Sequence, residues 1–88
     1  MADDFIDWEI SLSAGRSIPE WMWKNPFQVR FFRSAIEAAR GPLEDGTGLE
    51  AAFNEARERL EQAASRKIIA MEGEFEIPLA ITGPDVID

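Results

Sequence analysis

The groups in this chain with most scope for chemistry are carboxylates, and several recur at alternate positions: Asp7 and Glu9 near one end, Glu72, Glu74 and Glu76 near the other. In an extended chain this spacing sets them on one face, roughly 7 Å apart. A close carboxylate pair can act as general acid and base once one pKa is raised. A longer row can stand in for the phosphates of a nucleic-acid strand, whose spacing it resembles, and occupy a basic channel on another protein. The plainest use of the same residues is a solvated sheet face whose charges deter edge-to-edge pairing.

Acid–base catalysis lacks its usual partners here. The 88 residues include no His, no Cys and no Tyr. The commonest general base, the thiolate nucleophile and the imidazole and thiolate metal ligands are therefore all missing. Glu44-Asp45-Gly46-Thr47-Gly48-Leu49-Glu50 has oxygens and glycines but not the ligand order of a calcium loop. No Gly-Lys-Ser/Thr follows Gly46 or Gly48, so no phosphate loop is present. A chain of this length also leaves little room for a concave, walled reaction site. The expectation is a binding protein, not an enzyme, with no cofactor and no metal.

Aromatic and basic residues gather in the middle. Trp21, Trp23, Phe27, Phe31 and Phe32 supply five of the nine aromatic side chains, beside Lys24, Arg30 and Arg33. On a helix Trp21 and Trp23 point roughly 200° apart, so one of them should reach the surface. Exposed Trp beside Arg is the composition of an interface hot spot; rings straddling the edge of a small core are the alternative. The charge is divided as well. Residues 1–15 carry a net −4 and residues 71–88 a net −5, while residues 16–41 carry +3, within a total of −8. That total opposes direct nucleic-acid binding, and Glu37 can neutralise Arg33 one helical turn away. It also opposes an anionic membrane surface. No apolar run approaches the ~20 residues that span a bilayer. The first residues lack a basic segment followed by an apolar one, so a cytoplasmic location is expected.

The elements that must position these groups can be read from periodicity. Residues 5–13 alternate, with Ile6, Trp8, Ile10 and Leu12 on one face, and predict a strand. Ser17-Ile18-Pro19-Glu20 matches a capping box for a short helix through Lys24. Asn25-Pro26 resembles a second helix start, and Gly41-Pro42 a stop, which predicts a helix over 27–40. Phe27–Phe32 is also rich in strand formers, so a strand there is the alternative. Thr47-Gly48-Leu49-Glu50 predicts another capping box opening a long helix over 48–70, with Glu55 and Arg59 paired on its outside. Phe75, Ile77, Leu79 and Ile81 predict a second half-buried strand, with 82–88 a tail.

These elements make a single small α+β domain. One strand from each end forms a two-stranded sheet packed on a helical pair, in the order β-α-α-α-β, or with a third strand at 27–32. If the two terminal strands pair, Asp7 and Glu9 share a face with Glu74 and Glu76. The expected partner is another protein, in the sharpest version one with a basic nucleic-acid-handling surface. The expected contacts are Trp21, Trp23, Phe27 and Phe31, with Arg30, Arg33, Asp7, Glu9, Glu72, Glu74 and Glu76. Stoichiometric inhibition or adaptation is the expected role. A homodimer or larger assembly through the aromatic-rich helix face is the rival.

Overall fold

A computed structural model describes residues 4–12, 18–44, 46–72 and 74–87. In chain order it contains β1 (Phe5–Ile10), α1 (Glu20–Lys24), β2 (Phe27–Phe32), α2 (Arg33–Arg40), α3 (Leu49–Ala70), β3 (Leu79–Ile81) and α4 (Gly83–Ile87). The α+β class is as expected, in the version with a third strand.

The first part of the predicted 27–40 helix is β2, for a local reason at its start and a distant one along its length. A residue before proline is pushed into extended backbone. Asn25 accordingly ends α1 at φ −118, ψ 138 instead of capping a new helix. Beyond Pro26, Phe27, Val29 and Phe31 alternate with Gln28, Arg30 and Phe32, a period of two that pairs with β1. As a helix, the same residues give an apolar face covering half the circumference or more, a sign that the wrong period has been applied. The chain turns helical at Arg33, where Ala35, Ile36 and Ala39 are buried.

Strand β2 lies at the centre of the sheet. It runs antiparallel to β1 in the register Asp7↔Arg30 and Glu9↔Gln28, and parallel to β3 at Val29↔Leu79 and Phe31↔Ile81. The two terminal strands therefore do not pair. On the inner face, Ile10, Val29, Phe31, Leu79 and Ile81 are buried, with Ile6 and Trp8 packed against them. Phe53 of α3 joins this face to the helices, its ring 5.0 Å from Trp8 and 5.3 Å from Phe31. Burying a Phe in such a cluster stabilises by about 1.5–3 kcal/mol.

Helix α3 matches the predicted long helix closely. Its buried stripe is Ala52, Phe53, Ala56, Leu60, Ala63, Ala64 and Ile68. Its predicted Thr47 capping box does not form. Gly48 is the cap residue and no side chain caps the helix, while Thr47 N–H donates to Glu44 O in a turn. Glu55 and Arg59 do not pair with each other. Arg40 donates to Glu55 at 2.7 Å, and Arg59 donates to Ala39 O at 2.9 Å, meeting a carbonyl at the end of α2. Gly41, at φ 118 and ψ 173, follows α2 in backbone that essentially requires glycine.

The predicted second strand shortens to three residues because β2 offers β3 partners only from Val29 to Phe31. Glu74 and Glu76 precede it, and Ile77 is 67% exposed instead of facing the core. The predicted tail is helix α4, packed on α2. Gly83 is buried there, and its N–H donates to Ser34 Oγ at 3.1 Å. Ser17 of the predicted capping box lies outside the described residues.

Candidate partner-binding surface

The acids on β1 have cross-strand partners. Arg30 reaches Asp7 through Nε at 2.9 Å and Nη2 at 3.4 Å, and its guanidinium lies 4.0 Å over the Phe5 ring. Gln28 donates to Glu9 at 2.9 Å. Arg33 donates to Glu37 at 2.7 Å and approaches Asp4 at 3.8 Å. The hydrogen bond to Asp7 raises the pKa of Arg30 against an opposing desolvation, and the bond to Glu37 does the same for Arg33. With β2 between β1 and β3, the expected acidic stripe is broken. Asp7 and Glu9 do not share a sheet face with Glu74 and Glu76.

The second acidic run is built differently. Lys67 and Met71 close the last turn of α3, where Met71 N–H donates to Lys67 O at 3.0 Å. The chain then leaves through Glu72, the one non-glycine residue with positive φ among the described residues, at 54°. Left-handed backbone costs a side chain about 1–2 kcal/mol. Phe75 anchors the following segment, its ring 5.5 Å from Phe27, and Glu72, Glu74 and Glu76 are all exposed. None of the three makes an ion pair with another described residue.

Beside them lies exposed apolar surface. Met22 of α1 is buried, which forces its two neighbours sideways: Trp23 packs half-buried against the core and Trp21 is 54% exposed. Trp21 lines a groove of about 540 Å³ together with Ile18, Pro19, Met22, Ile69, Glu72 and Glu74. Ile69 is 45% exposed there, and Met71 and Ile77 add exposed apolar surface nearby in the chain.

Of the expected contact residues, the groove unites Trp21, Glu72 and Glu74, with Glu76 close behind. Asp7, Glu9, Arg30 and Arg33 belong to the sheet and its edge. Trp23 and Phe27 are half-buried against the core, and Phe27 also meets Phe75. Phe31 is wholly buried and belongs to the core, because β2 turns alternate residues inward. Ile18, Ile69 and Met71 were not anticipated. A signal for Ile69 did exist: it stands roughly 100° round the helix from the buried Ile68, off the apolar stripe.

A second unanticipated feature secures α4. Thr82-Gly83-Pro84-Asp85 is itself a capping sequence. Asp85 Oδ2 accepts from Thr82 N–H at 2.9 Å, Thr82 Oγ1 at 3.1 Å and Lys67 Nζ at 3.0 Å. Burial pushes the Asp85 carboxyl up, but these donors together hold it below its ordinary value. Among the described residues no group of three or more His, Cys, Asp or Glu side chains is placed to hold a metal ion. No described helix is long and apolar enough to cross a membrane.

Compared with family models, curated proteins and solved structures, the chain gives no match in any of the three.

Proposed function

We propose that this chain is a non-enzymatic protein-binding module, a stoichiometric inhibitor or adaptor, whose α1–α3 groove takes an apolar anchor from a partner with basic residues around it. The observation that carries this reading is an imbalance. Each described basic side chain has an intramolecular partner: a carboxylate for Lys24, Arg30, Arg33, Arg40 and Lys67, a carbonyl for Arg59, the Trp8 ring for Arg57, and a contact for Arg66. The excess negative charge is thus left for other molecules, and Glu72 and Glu74 place two units of it beside Trp21 and Ile69, with the exposed Glu76 two residues further along the chain. Rings that anchor and charges that steer divide the work of a protein interface in this way.

Occlusion of a basic, nucleic-acid-handling surface is the sharpest form of this role. Its support comes from the acids at the end of α3, not from a continuous stripe. Assembly through the aromatic-rich face of 27–39 is the less supported rival, since Phe31, Ala35, Ile36 and Ala39 are buried within the domain and Phe27 and Phe32 only half-buried.

The test is affinity capture from the native host with wild type, Trp21→Ala and the double variant Glu72→Gln/Glu74→Gln, each checked for folding by circular dichroism. Loss of the captured protein with Trp21→Ala, and salt-sensitive weakening with the double variant, are expected. Unchanged capture by both would overturn the proposal. Competition between a nucleic acid and this chain for the captured protein tests the occlusion form separately.

A further inference from the structure

The two edges of the sheet are treated differently. At the β3 edge the strand is three residues long and preceded by Pro78, which has no N–H to offer. Lys67 Nζ donates to Ala80 O at 2.9 Å. These are recognised ways of blunting an edge. Strand β1 has six residues and pairs with β2 alone.

The register shows which backbone groups β1 leaves open. Arg33 N–H donates to Asp4 O at 2.9 Å, which marks Asp4 and Arg33 as a hydrogen-bonded pair continuing the Phe5↔Phe32 register. In an antiparallel ladder such pairs alternate. Ile6, Trp8 and Ile10 therefore turn their N–H and C=O toward β2, and Phe5, Asp7 and Glu9 turn theirs outward. Among the described residues none meets these outward groups.

The surroundings of this edge define what would fit it. A groove of about 670 Å³ runs along it, lined by Asp7, Trp8, Glu9, Ser11, Gln28 and Glu61. Three carboxylates line that groove and no base does. Asp7 and Glu9 stand on the outer face, while Glu61 lies on the inner side, accepting from Trp8 Nε1 at 3.1 Å. A second copy is a poor occupant, because it would bring its own Asp7 and Glu9 alongside these in a chain already at −8.

We propose that β1 is a strand-addition site for an extended segment of a partner protein in which basic residues alternate with apolar ones. The main chain of that segment would pair with Phe5, Asp7 and Glu9. Its Lys or Arg side chains would lie beside Asp7 and Glu9, and its apolar side chains would continue the inner row of Ile6 and Trp8. Main-chain bonds would supply affinity and the alternating side chains specificity. This surface is separate from the α1–α3 groove and stands or falls independently of it.

The probe is a short synthetic peptide alternating Lys and Val, titrated into the full chain beside a scrambled peptide of the same composition. Two further versions are N-methylated, one at every Lys amide and one at every Val amide. Strand addition requires one parity of amides and leaves the other in solvent. One methylated version should therefore bind about tenfold more weakly, as expected for the loss of one or two net hydrogen bonds, while the other keeps its affinity. Hydrogen exchange of the Phe5, Asp7 and Glu9 amides should slow with the peptide bound, and Trp21→Ala should leave its affinity unchanged. Equal binding by the scrambled peptide or by both methylated versions would overturn the proposal, since charge attraction alone would explain it. Loss of binding with Trp21→Ala would overturn it by placing the peptide in the groove. A free-state dimer protecting the same β1 amides would overturn it in favour of a second copy.

Discussion

Asp7 and Glu9 on β1, and Glu72, Glu74 and Glu76 beyond α3, share a two-residue repeat but stand in different electrostatic settings. The first pair lies on a sheet whose next strand presents Arg30 and Gln28 in register, so each carboxylate has a hydrogen-bond donor across the ladder. The second run leaves a helix end outside any strand pairing and makes no ion pair with another described residue. One set of acids is engaged within the sheet, and the other has no ion-pair partner among the described residues. Identical spacing thus carries different meanings according to which residues the fold brings opposite.

The support beneath the two runs differs as much as their partners do. Below β1, Trp8 rests on Phe53, which is almost wholly buried. Phe53→Ala should cost about 3–5 kcal/mol. That is a large part of the ~4–13 kcal/mol expected for a domain of this size. Phe75→Ala, under the second run, removes a half-buried ring and should cost markedly less. Equal losses in urea melts of the two variants would erase the contrast between a deep platform and a shallow one.

Acid sharpens the comparison from another side. Asp85, with its depressed pKa, ties α4 to Lys67 near the end of α3. The stabilisation from a lowered carboxyl is complete above its unfolded-state value and is lost as pH falls through the folded one. Asp85→Ala should cost about 1–2 kcal/mol near neutral pH, from the lost cap and charged hydrogen bonds. Its stability should then fall less steeply than that of wild type below the ordinary carboxylate range. An acid titration of the two proteins with parallel curves would show that Asp85 is not the sensitive group.

Much of this architecture could be read from the residues, and the failures share a cause. The strand at 5–10 and the helix at 49–70 were legible because each repeats one period over its length. Phe27–Phe32 was ambiguous because its apolar residues fit both periods, and β1, a distant segment, decides between them by pairing. The groove was half legible. Adjacent Trp and Met residues on a short helix imply that a ring is left outside, but nothing in the sequence places Ile69 opposite Trp21. The broken acidic stripe had the same origin: which strand lies between two others is a property of topology, not of spacing.

Glu72 offers a way to separate stability from recognition within the second run. Its left-handed backbone is a position where glycine carries no steric penalty. Glu72→Gly should therefore stabilise the fold by about 1 kcal/mol in a denaturant melt while weakening partner binding. A variant that gained stability and bound the partner as well as wild type would remove Glu72 from the interface.

The smallest effects bear most directly on the contrast between the two runs. Asp7→Asn keeps the size of the side chain but leaves Arg30 with a neutral partner. Exposed pairs contribute little, so the melting temperature should fall by no more than a few degrees, and by less in high salt. Glu74→Gln removes a charge that has no ion-pair partner among the described residues and should leave the melting temperature unchanged or slightly raised, because net negative repulsion is relieved. Binding to a partner captured through the α1–α3 groove should show the opposite order. The association rate at low salt should drop for Glu74→Gln and stay near wild type for Asp7→Asn. If both variants shift stability and association rate alike, the charge of this protein acts as a diffuse field, and the distinction between its two acidic runs has no physical content.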